Sequence, residues 1–299
     1  MKLDHQSKRD EYGESPDRLP AGLYLVATPI GASQDISLRA LDALRRADVI
    51  AAEDTRRAQK LMAIHGVARA GRPLIAYHDH SGDSARGGLL ARIADGAAVA
   101  CVSDAGTPLI ADPGWKLARA AIDADLPVSA LPGASALLAA LCVSGLPTDR
   151  FLFGGFPPPK QAARKAEFAD LATLRATLVF YESPRRLAAC LGDMAAALGP
   201  DRSAAVCREL TKLYEETRRG TLGDLAAHYA EAGAPKGEIV ILVGPPGKTA
   251  AEQADVDAAL AEALKTMRVK DAAAEVAARL GAPRREVYQR ALSLKDEQG

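Results

Sequence analysis

The sequence has no apolar run of the roughly 18 to 20 residues that a membrane-spanning helix needs. Its N-terminus lacks the hydrophobic core of a signal peptide. Basic and acidic residues both number 38, so the overall charge gives no evidence of a nucleic-acid partner, and any basic surface has to be local. These absences predict a protein that works in the cytoplasm without a membrane partner.

Cysteine is also scarce, and the chain has no pair with the CxxC spacing of a redox or zinc motif. All four cysteines lie in apolar stretches and are predicted to be reduced core residues, namely Cys101, Cys142, Cys190 and Cys207. His78 and His80 have the spacing of two ligands on one strand face, but no third histidine or cysteine lies near them. We therefore predict no metal site.

Glycine-rich phosphate loops are missing as well. The stretch Gly244 to Thr249 ends in GKT, but a phosphate-binding loop would need glycine where Leu242 stands. After the first predicted strand the chain reads TPIG instead of G-x-G-x-x-G. A nucleotide-binding fold of either usual kind is therefore disfavoured.

From Gly22 to about Leu131, short apolar runs alternate with helical patterns, which predicts a largely parallel sheet with helices on both faces. After Pro132-Gly133, the later strands lie too close together for crossovers, so antiparallel pairs are expected. The predicted fold is α/β, with two α/β domains over residues 21–132 and 133–246. Residues 1–20 are highly charged and aperiodic, which predicts a disordered leader.

Residues 247–299 form a third predicted part, which is purely helical. Three amphipathic segments span 255–267, 270–280 and 284–294, with Gly281-Ala282-Pro283 between the last two. Two short helices around such a turn are typical of a helix-turn-helix, whose second helix would present Arg284, Arg285, Gln289 and Arg290. A small three-helix packing or dimerisation module fits the pattern equally well.

The most informative run is VSDAGTPLIADPG at 102–114, which begins where the predicted strand Ala97 to Val102 stops. Gly106 can adopt a positive φ and let a ligand approach the main chain. Asp104 and Asp112 follow the strand at the sheet edge where open α/β folds bind ligands. A structural turn with a capping aspartate explains the same residues, so both interpretations stand at this point.

Two further segments carry polar residues suited to an RNA substrate. Glu53-Asp54-Thr55-Arg56-Arg57 follows the second strand, and a guanidinium there would suit a phosphate, although helix capping explains Asp54 or Thr55 equally well. The segment Phe156 to Lys165 combines an aromatic residue, three prolines, Lys160 and Arg164. An aromatic residue among basic ones is typical of contacts to single-stranded RNA.

Several motifs occur in a fixed order along the chain: LVATPIG (25–31), DISLRA (35–40), AEDTR (52–56), SDAGTPLI (103–110), LPG (131–133), GLP (145–147), FYES (180–183), RELTK (208–212) and KGE (236–238). Together they resemble the ribosomal RNA small subunit methyltransferase I family of the tetrapyrrole-methylase superfamily. The resemblance covers about residues 21–244, and the C-terminal helices look like that family's helix-turn-helix appendage.

The resemblance implies S-adenosylmethionine as cofactor and methyl transfer to the ribose 2′-hydroxyl of a cytidine in the decoding region of small-subunit ribosomal RNA. It also implies a homodimer. The cofactor would lie between the two domains against loop main chain. Carried over by motif, its contacts are Pro29, Ala105, Gly106, Thr107, Ile110, Ser135, Ala136, Tyr181, Glu182, Leu210, Thr211, Glu238 and Ile239.

The acceptor hydroxyl needs a base, and the candidates are Asp54, His78 and His80, which the sequence does not rank. Arg56, Lys160 and Arg164 are the predicted RNA contacts, while Asp104 and Asp112 are expected only to shape their loop. Where the wider superfamily typically has Gly-Gly-Asp-Pro, Thr107 replaces the acid, which counts against a porphyrinoid substrate. A tetrapyrrole C-methyltransferase is the alternative enzyme, and a non-catalytic nucleic-acid-binding regulator is the alternative from another class.

Overall fold

The computed structural model describes residues 19–78, 81–247, 250–280, 282 and 284–296. The predicted leader lies outside the described residues except for positions 19 and 20. The chain forms two compact units, Met1–Pro245 and Pro246–Gly299, each of which is described by itself. Within the described part of the chain, no helix combines the length and the apolar character needed to cross a membrane.

The first half of the larger unit is a five-stranded parallel sheet with the strand order β3-β2-β4-β1-β5. Its strands are β1 (Gly22–Val26), β2 (Val49–Ala52), β3 (Leu74–Ala76), β4 (Ala98–Val102) and β5 (Val128–Leu131). The helices between them are α1 (Leu38–Arg46), α2 (Thr55–Ile64), α3 (Asp83–Ala94) and α4 (Trp115–Asp123).

Helices cover both faces of this sheet, as the alternating pattern predicts. α1 and α2 pack Leu44 and Met62 against one face, whereas α3 and α4 pack Ile93 and Leu117 against the other. All residues of β2 and β4 are buried, because central parallel strands have no face in water. The sheet therefore presents its carboxyl-end loops as a fixed edge, and these loops carry most of the predicted site.

The second half of the same unit is a mixed sheet with the order β6-β7-β10-β8-β9, in which only the β6–β7 pair is parallel. Its strands are β6 (Phe151–Gly155), β7 (Thr177–Glu182), β8 (Ser203–Arg208), β9 (Glu216–Thr221) and β10 (Ile239–Val243). The helices are α5 (Ala136–Ser144), α6 (Gln161–Asp170), α7 (Leu187–Leu198) and α8 (Leu222–Ala232). The predicted succession of a parallel and a mixed sheet is confirmed.

Helices α6, α7 and α8 pack on one face of the mixed sheet, and α5 packs on the other. On the α5 face, Ile30 from the loop after β1 joins the apolar cluster of Leu141 and Leu210. The two sheets are therefore linked through apolar contacts close to the carboxyl ends of the parallel strands.

Three local features differ from what the sequence analysis predicts. The connector predicted to contain Arg164 is helical there, because α6 begins at Gln161 directly after Lys160. α8 was not predicted, although Thr221 and Asp224 form a capping box at its start. Cys142 is exposed on α5 instead of buried, whereas the other three cysteines lie in the core.

The smaller unit contains α9 (Ala250–Ala263), α10 (Val269–Leu280) and α11 (Arg284–Asp296), packed around a core of its own that includes Leu260, Val276 and Val287. Gly281 and Pro283 of the predicted turn lie outside the described residues. On α11, the guanidinium of Arg290 forms two hydrogen bonds of 2.8 Å with the carboxylate of Asp257 on α9. This arginine therefore stabilises the packing of α11 on α9, and its contact with a nucleic acid stays a prediction.

Gly154 sits at an irregularity in the pairing of β6 with β7, where a Cβ would stand 2.7 Å from Cδ1 of the Phe180 ring. That ring is fully buried and packs edge-on against Phe168, so it has no room to move. We expect Gly154→Ala to lower the free energy of unfolding by about 1–3 kcal/mol through overpacking, measured by urea denaturation. In the control, Gly192→Ala, the new methyl meets nothing within 4 Å on α7. That variant should be slightly more stable than wild type, and equal effects of both changes would contradict the packing argument.

Candidate functional site

The loop after β4 is fastened to the loop after β1 by three hydrogen bonds, and a fourth closes the turn within it. Thr28 and Gly106 exchange two backbone hydrogen bonds of 2.9 Å each. Thr28 Oγ1 donates to the carbonyl of Ser103 (3.2 Å), and Ser103 Oγ donates to the carbonyl of Gly106 (3.0 Å). Gly106 has a φ of +83°, which a side chain would strain. The SDAGTP run is therefore a rigid turn at the centre of the parallel sheet's edge.

The second part of the same run is strained. Leu109 and Ala111 are non-glycine residues with φ of +73° and +59°. Residues in this conformation cost free energy and are typically found where the surrounding structure holds a functional loop in place. Here Thr107 Oγ1 donates to the carbonyl of Ala134 (3.1 Å), which fixes the run against the loop after β5.

A cavity of about 450 Å³ opens over these loops, between the edge of the parallel sheet and the mixed sheet. Eleven of the thirteen predicted cofactor residues line it: Ala105, Gly106, Thr107, Ile110, Ser135, Ala136, Tyr181, Glu182, Leu210, Glu238 and Ile239. Pro29 does not line it but precedes Ile30, which does. Thr211 supports the wall from behind, since its Oγ1 accepts a hydrogen bond from Ala32 N (3.1 Å).

The prediction missed half of the lining: Ile30, Glu53, Arg57, Asp104, Ala111, Asp112, Phe156, Ser183, Pro184, Gly237 and Val240. Most of these directly adjoin a predicted residue in sequence. Several of them could therefore have been predicted from their positions in motifs that were already recognised.

A network of charged side chains holds the far wall of the cavity. Glu209 Oε1 accepts hydrogen bonds from Glu238 N (3.0 Å) and Lys212 Nζ (2.8 Å), and Lys212 Nζ also contacts Glu238 Oε2 at 3.0 Å. The hydrogen bond from Lys212 holds the pKa of Glu209 below its ordinary value. Because this network joins the loop after β8 to the start of β10, it fixes the position of Leu210 in the wall.

Acidic residues gather where the loops after β2 and β4 meet. Asp104 accepts a hydrogen bond from Asp54 N (2.9 Å) and forms an ion pair of 3.3 Å with Arg57. Burial raises the pKa of Asp112 to about 7, and the negative charges of Glu53 and Asp104 add to that rise, against a hydrogen bond from Ser103.

The two predicted bases that the structure describes, Asp54 and His78, do not line the cavity. Asp54 caps α2 and accepts hydrogen bonds from the backbone and the guanidinium of Arg56, which lower its pKa to about 2. A carboxylate so stabilised is a weak base. The prediction for Asp54 is therefore corrected: this residue is a helix cap. His78 is exposed and its backbone N–H binds Ser81 Oγ (2.9 Å). His80 lies outside the described residues.

The predicted RNA contacts separate into two exposed residues and one buried residue. Arg56 is exposed beside Asp54, and Lys160 is exposed at the start of α6. Arg164 is only 5% exposed, with Nε 2.9 Å from Asp193 Oδ2 and further hydrogen bonds to the carbonyls of Pro158 and Pro159. The prediction that Arg164 contacts RNA is therefore wrong.

Comparisons with known proteins match both units of the chain. Residues 22–226 match the family Tetrapyrrole (Corrin/Porphyrin) Methylases, and residues 250–295 match the RsmI C-terminal HTH domain. The ribosomal RNA small subunit methyltransferase I of Mesorhizobium japonicum is 50% identical over 96% of this chain and 97% of its own length. The protein of that name from Mycobacterium tuberculosis is 46% identical over 93% of this chain and 96% of its own.

Solved structures share the fold of the larger unit. A cobalt precorrin-4 methyltransferase covers 74% of this chain and 94% of its own, with a TM-score of 0.56 and 20% identity. A uroporphyrin-III C-methyltransferase from Thermus thermophilus, complexed with S-adenosyl homocysteine, covers 74% and 96%, with a TM-score of 0.51 and 19% identity. The predicted tetrapyrrole-methylase fold with an appended helix-turn-helix module is confirmed.

Proposed function

The chain belongs to the tetrapyrrole (corrin/porphyrin) methylase family, in the group named ribosomal RNA small subunit methyltransferase I, and on that premise we propose that it methylates small-subunit ribosomal RNA. The proposed methyl donor is S-adenosylmethionine, and the proposed acceptor is the ribose 2′-hydroxyl of a cytidine in the decoding region. The observation that carries the proposal is the cavity, because the residues that the family motifs mark for the cofactor line one continuous space.

The residues of the cavity fit S-adenosylmethionine. Its volume of about 450 Å³ is in the range of small-molecule sites. Ile30, Leu210 and Ile239 offer an apolar wall for the adenine, and the rigid main chain at Gly106 and Thr107 offers hydrogen bonds for polar groups. When bound, the cofactor supplies a methyl group that its positive sulfur already activates. The protein then has to align the acceptor oxygen with that methyl and accept a proton.

A rim of aromatic and basic residues supports an RNA substrate. Phe156 lines the cavity yet is 58% exposed, and its ring packs edge-on against Tyr181 with the centroids 5.7 Å apart. Tyr181 is itself fixed, because its hydroxyl accepts a hydrogen bond from Leu137 N (3.1 Å). Lys160 lies four residues after Phe156 and is exposed. Arg185 is also exposed, and it directly follows Pro184, which lines the cavity.

Two arginine side chains fix the backbone of the three prolines that follow Phe156. Arg186 Nη2 donates to the carbonyls of Pro157 (2.7 Å) and Pro158 (3.1 Å), and Arg164 Nη1 donates to those of Pro158 and Pro159. A preorganised aromatic ring loses little conformational entropy when a base stacks on it. We therefore assign to the three prolines the task of presenting Phe156, with Lys160 and Arg185 beside it for phosphates.

Phe156→Ala is expected to weaken binding of the ribosomal RNA substrate by about 1–3 kcal/mol, the usual contribution of one stacked base. Affinity for S-adenosylmethionine should stay the same, and Phe156→Tyr should retain RNA binding. The matched control is Phe151→Ala, since Phe151 is 43% exposed on β6 but does not line the cavity. Filter binding to small subunits and calorimetry with the cofactor measure the two affinities. A larger loss for the cofactor than for RNA would assign Phe156 to the cofactor wall instead.

The proposed reaction is tested by incubating the protein with labelled S-adenosylmethionine and one of three acceptors: small ribosomal subunits, naked ribosomal RNA or a porphyrin precursor. We expect label in RNA only. Label in the tetrapyrrole alone would establish the alternative enzyme, and duplex-DNA binding without cofactor binding would establish a regulator. The comparison of the two RNA samples decides whether the assembled subunit is the substrate.

We propose that the protein forms a homodimer and acts in the cytoplasm. Its proposed domains are residues 21–132, 133–246 and 247–299. Light scattering measures the dimer. Expression of residues 21–246 without the helix-turn-helix unit then shows whether dimerisation and RNA binding depend on that unit.

A further inference from the structure

Methylation of a ribose hydroxyl needs an acceptor for the proton, and the cavity offers a small set of carboxylates. The acidic residues that line it among the described residues are Glu53, Asp104, Asp112, Glu182 and Glu238. A useful base has to be inside the cavity, within reach of a substrate hydroxyl, and not neutralised by a basic partner.

Asp104, Glu182 and Glu238 each have a basic partner. Asp104 forms an ion pair with Arg57, and Glu238 Oε2 lies 3.0 Å from Lys212 Nζ. Glu182 is only 3% exposed, with Oε1 accepting from Ser183 N (2.7 Å) and Oε2 lying 3.1 Å from Arg186 Nη2. A carboxylate that already binds a cation is less available to accept a proton from a substrate hydroxyl.

Asp112 has the opposite surroundings. The charged groups that act on it are Glu53 and Asp104, both acidic, and the phenol of Tyr181 also faces it from β7. Arg57, the nearby cation, is paired with Asp104. Asp112 lines the cavity directly after the strained residues Leu109 and Ala111.

We propose that Asp112 is the general base that accepts the proton of the ribose 2′-hydroxyl, an assignment that rests on the proposed function. The carboxylate takes the proton while the hydroxyl oxygen forms a bond to the methyl carbon. The electron pair of the breaking sulfur–carbon bond stays on sulfur, so the positive charge of the donor is lost and the carboxylic acid is neutral.

The titration of Asp112 suits this role. A pKa of about 7 makes the carboxylate a stronger base than an ordinary aspartate and leaves it ionised at slightly alkaline pH. The value of kcat/KM, which reports ionisation in the free enzyme, should therefore rise through about pH 7 and then level off. Because the folded state holds this proton more tightly than the unfolded chain does, the stability that it contributes is fully present below the unfolded pKa of 3.8, is lost as the pH rises to about 7, and is absent above that pH.

The test is Asp112→Asn, which keeps the shape and removes the base. We expect kcat on small ribosomal subunits to fall by about 10²–10⁴-fold, the usual contribution of general base catalysis, with the rise near pH 7 abolished. Calorimetry should give an unchanged cofactor affinity. The melting temperature at pH 8 should be no lower than that of wild type, because the variant lacks the destabilising charge.

The matched control is Asp54→Asn, the same chemical change at a carboxylate that caps α2 outside the cavity lining, since asparagine also caps helices well. It should keep the wild-type rate and pH profile. Glu53→Gln removes a negative charge that faces Asp112, so the midpoint of its pH profile should move to lower pH.

The possible outcomes distinguish a failure of the Asp112 assignment from a failure of the proposed function. Wild-type transfer to RNA with an Asp112→Asn rate within tenfold of it would overturn the assignment alone. Weaker cofactor binding with an unchanged kcat would likewise overturn it, by making Asp112 a cofactor contact. Absence of transfer by the wild type would overturn the proposed function and the assignment together.

Discussion

A Gly106→Val variant is expected to lose affinity for S-adenosylmethionine by about 100-fold. A β-branched residue at a φ of +83° costs about 1–3 kcal/mol in backbone strain. The new Cβ would stand 3.3 Å from Ile30 and would disturb the paired hydrogen bonds with Thr28. The turn relieves this strain by leaving the backbone geometry that the cofactor needs, and a loss of about 3 kcal/mol of binding free energy corresponds to about two powers of ten in Kd. Isothermal calorimetry with the cofactor measures the loss.

Two controls show whether the loss belongs to the turn. In Gly82→Val the side chain meets nothing within 4 Å, and the backbone has an ordinary φ of −62°. That variant should bind the cofactor normally. Thr107→Val removes only the hydrogen bond to the Ala134 carbonyl and should cost about 0.5–1.5 kcal/mol of binding while the protein stays folded. Normal affinity in a folded Gly106→Val protein would place the cofactor away from this turn.

Arg164→Ala is expected to lower the free energy of unfolding by about 3–5 kcal/mol, because it leaves a buried carboxylate without its main partner. Asp193 is 4% exposed and accepts hydrogen bonds from both Arg164 and Gln161. Burial alone would raise its pKa, but these hydrogen bonds outweigh burial and hold the pKa below its ordinary value. Urea denaturation measures the effect.

The pH dependence of this effect follows from the pKa of Asp193. In the wild type the lowered pKa stabilises the fold above the unfolded value of 3.8, and that contribution is lost as pH falls. In the variant the buried carboxyl is expected to have a raised pKa, so the destabilisation should be smaller at pH 4 than at pH 7. Lys165→Ala is the control, since Lys165 is 49% exposed and 3.5 Å from Asp193, and should cost at most about 1 kcal/mol. Equal effects at the two positions would contradict the buried pair.

The parallel sheet was predictable because its central strands are continuous apolar runs between helical patterns. β4 and β2 are buried along their whole length, and such strands cannot be mistaken for amphipathic ones. α6 was missed because three prolines and a basic residue directly before it are typical of a loop. α8 was missed although the sequence contains the residues of its capping box. The glycine and aspartate in its first turn obscured the helical periodicity.

Half of the cavity lining was predictable, because backbone loops at a sheet edge carry motifs. The proposed base was not. Glu53 lines the cavity and its neighbour Asp54 caps a helix, and sequence adjacency does not decide which side chain points inward. Asp112 was expected only to shape its loop, because its pKa is raised by burial, which the sequence does not show, and by the charge of Glu53, which follows another strand. Arg164 looked like an RNA contact because Asp193, its partner, lies on α7 and is remote in sequence.

The most direct test of the account is to locate the methyl group. Small ribosomal subunits are labelled with the wild-type protein and methyl-labelled S-adenosylmethionine, and the purified RNA is hydrolysed in alkali. A methylated 2′-oxygen cannot attack the neighbouring phosphate, so the account predicts the label in an alkali-resistant dinucleotide that begins with 2′-O-methylcytidine. Label in ordinary mononucleotides would place the methyl on a base, and label absent from the RNA would remove the proposed substrate. Either result would contradict the account.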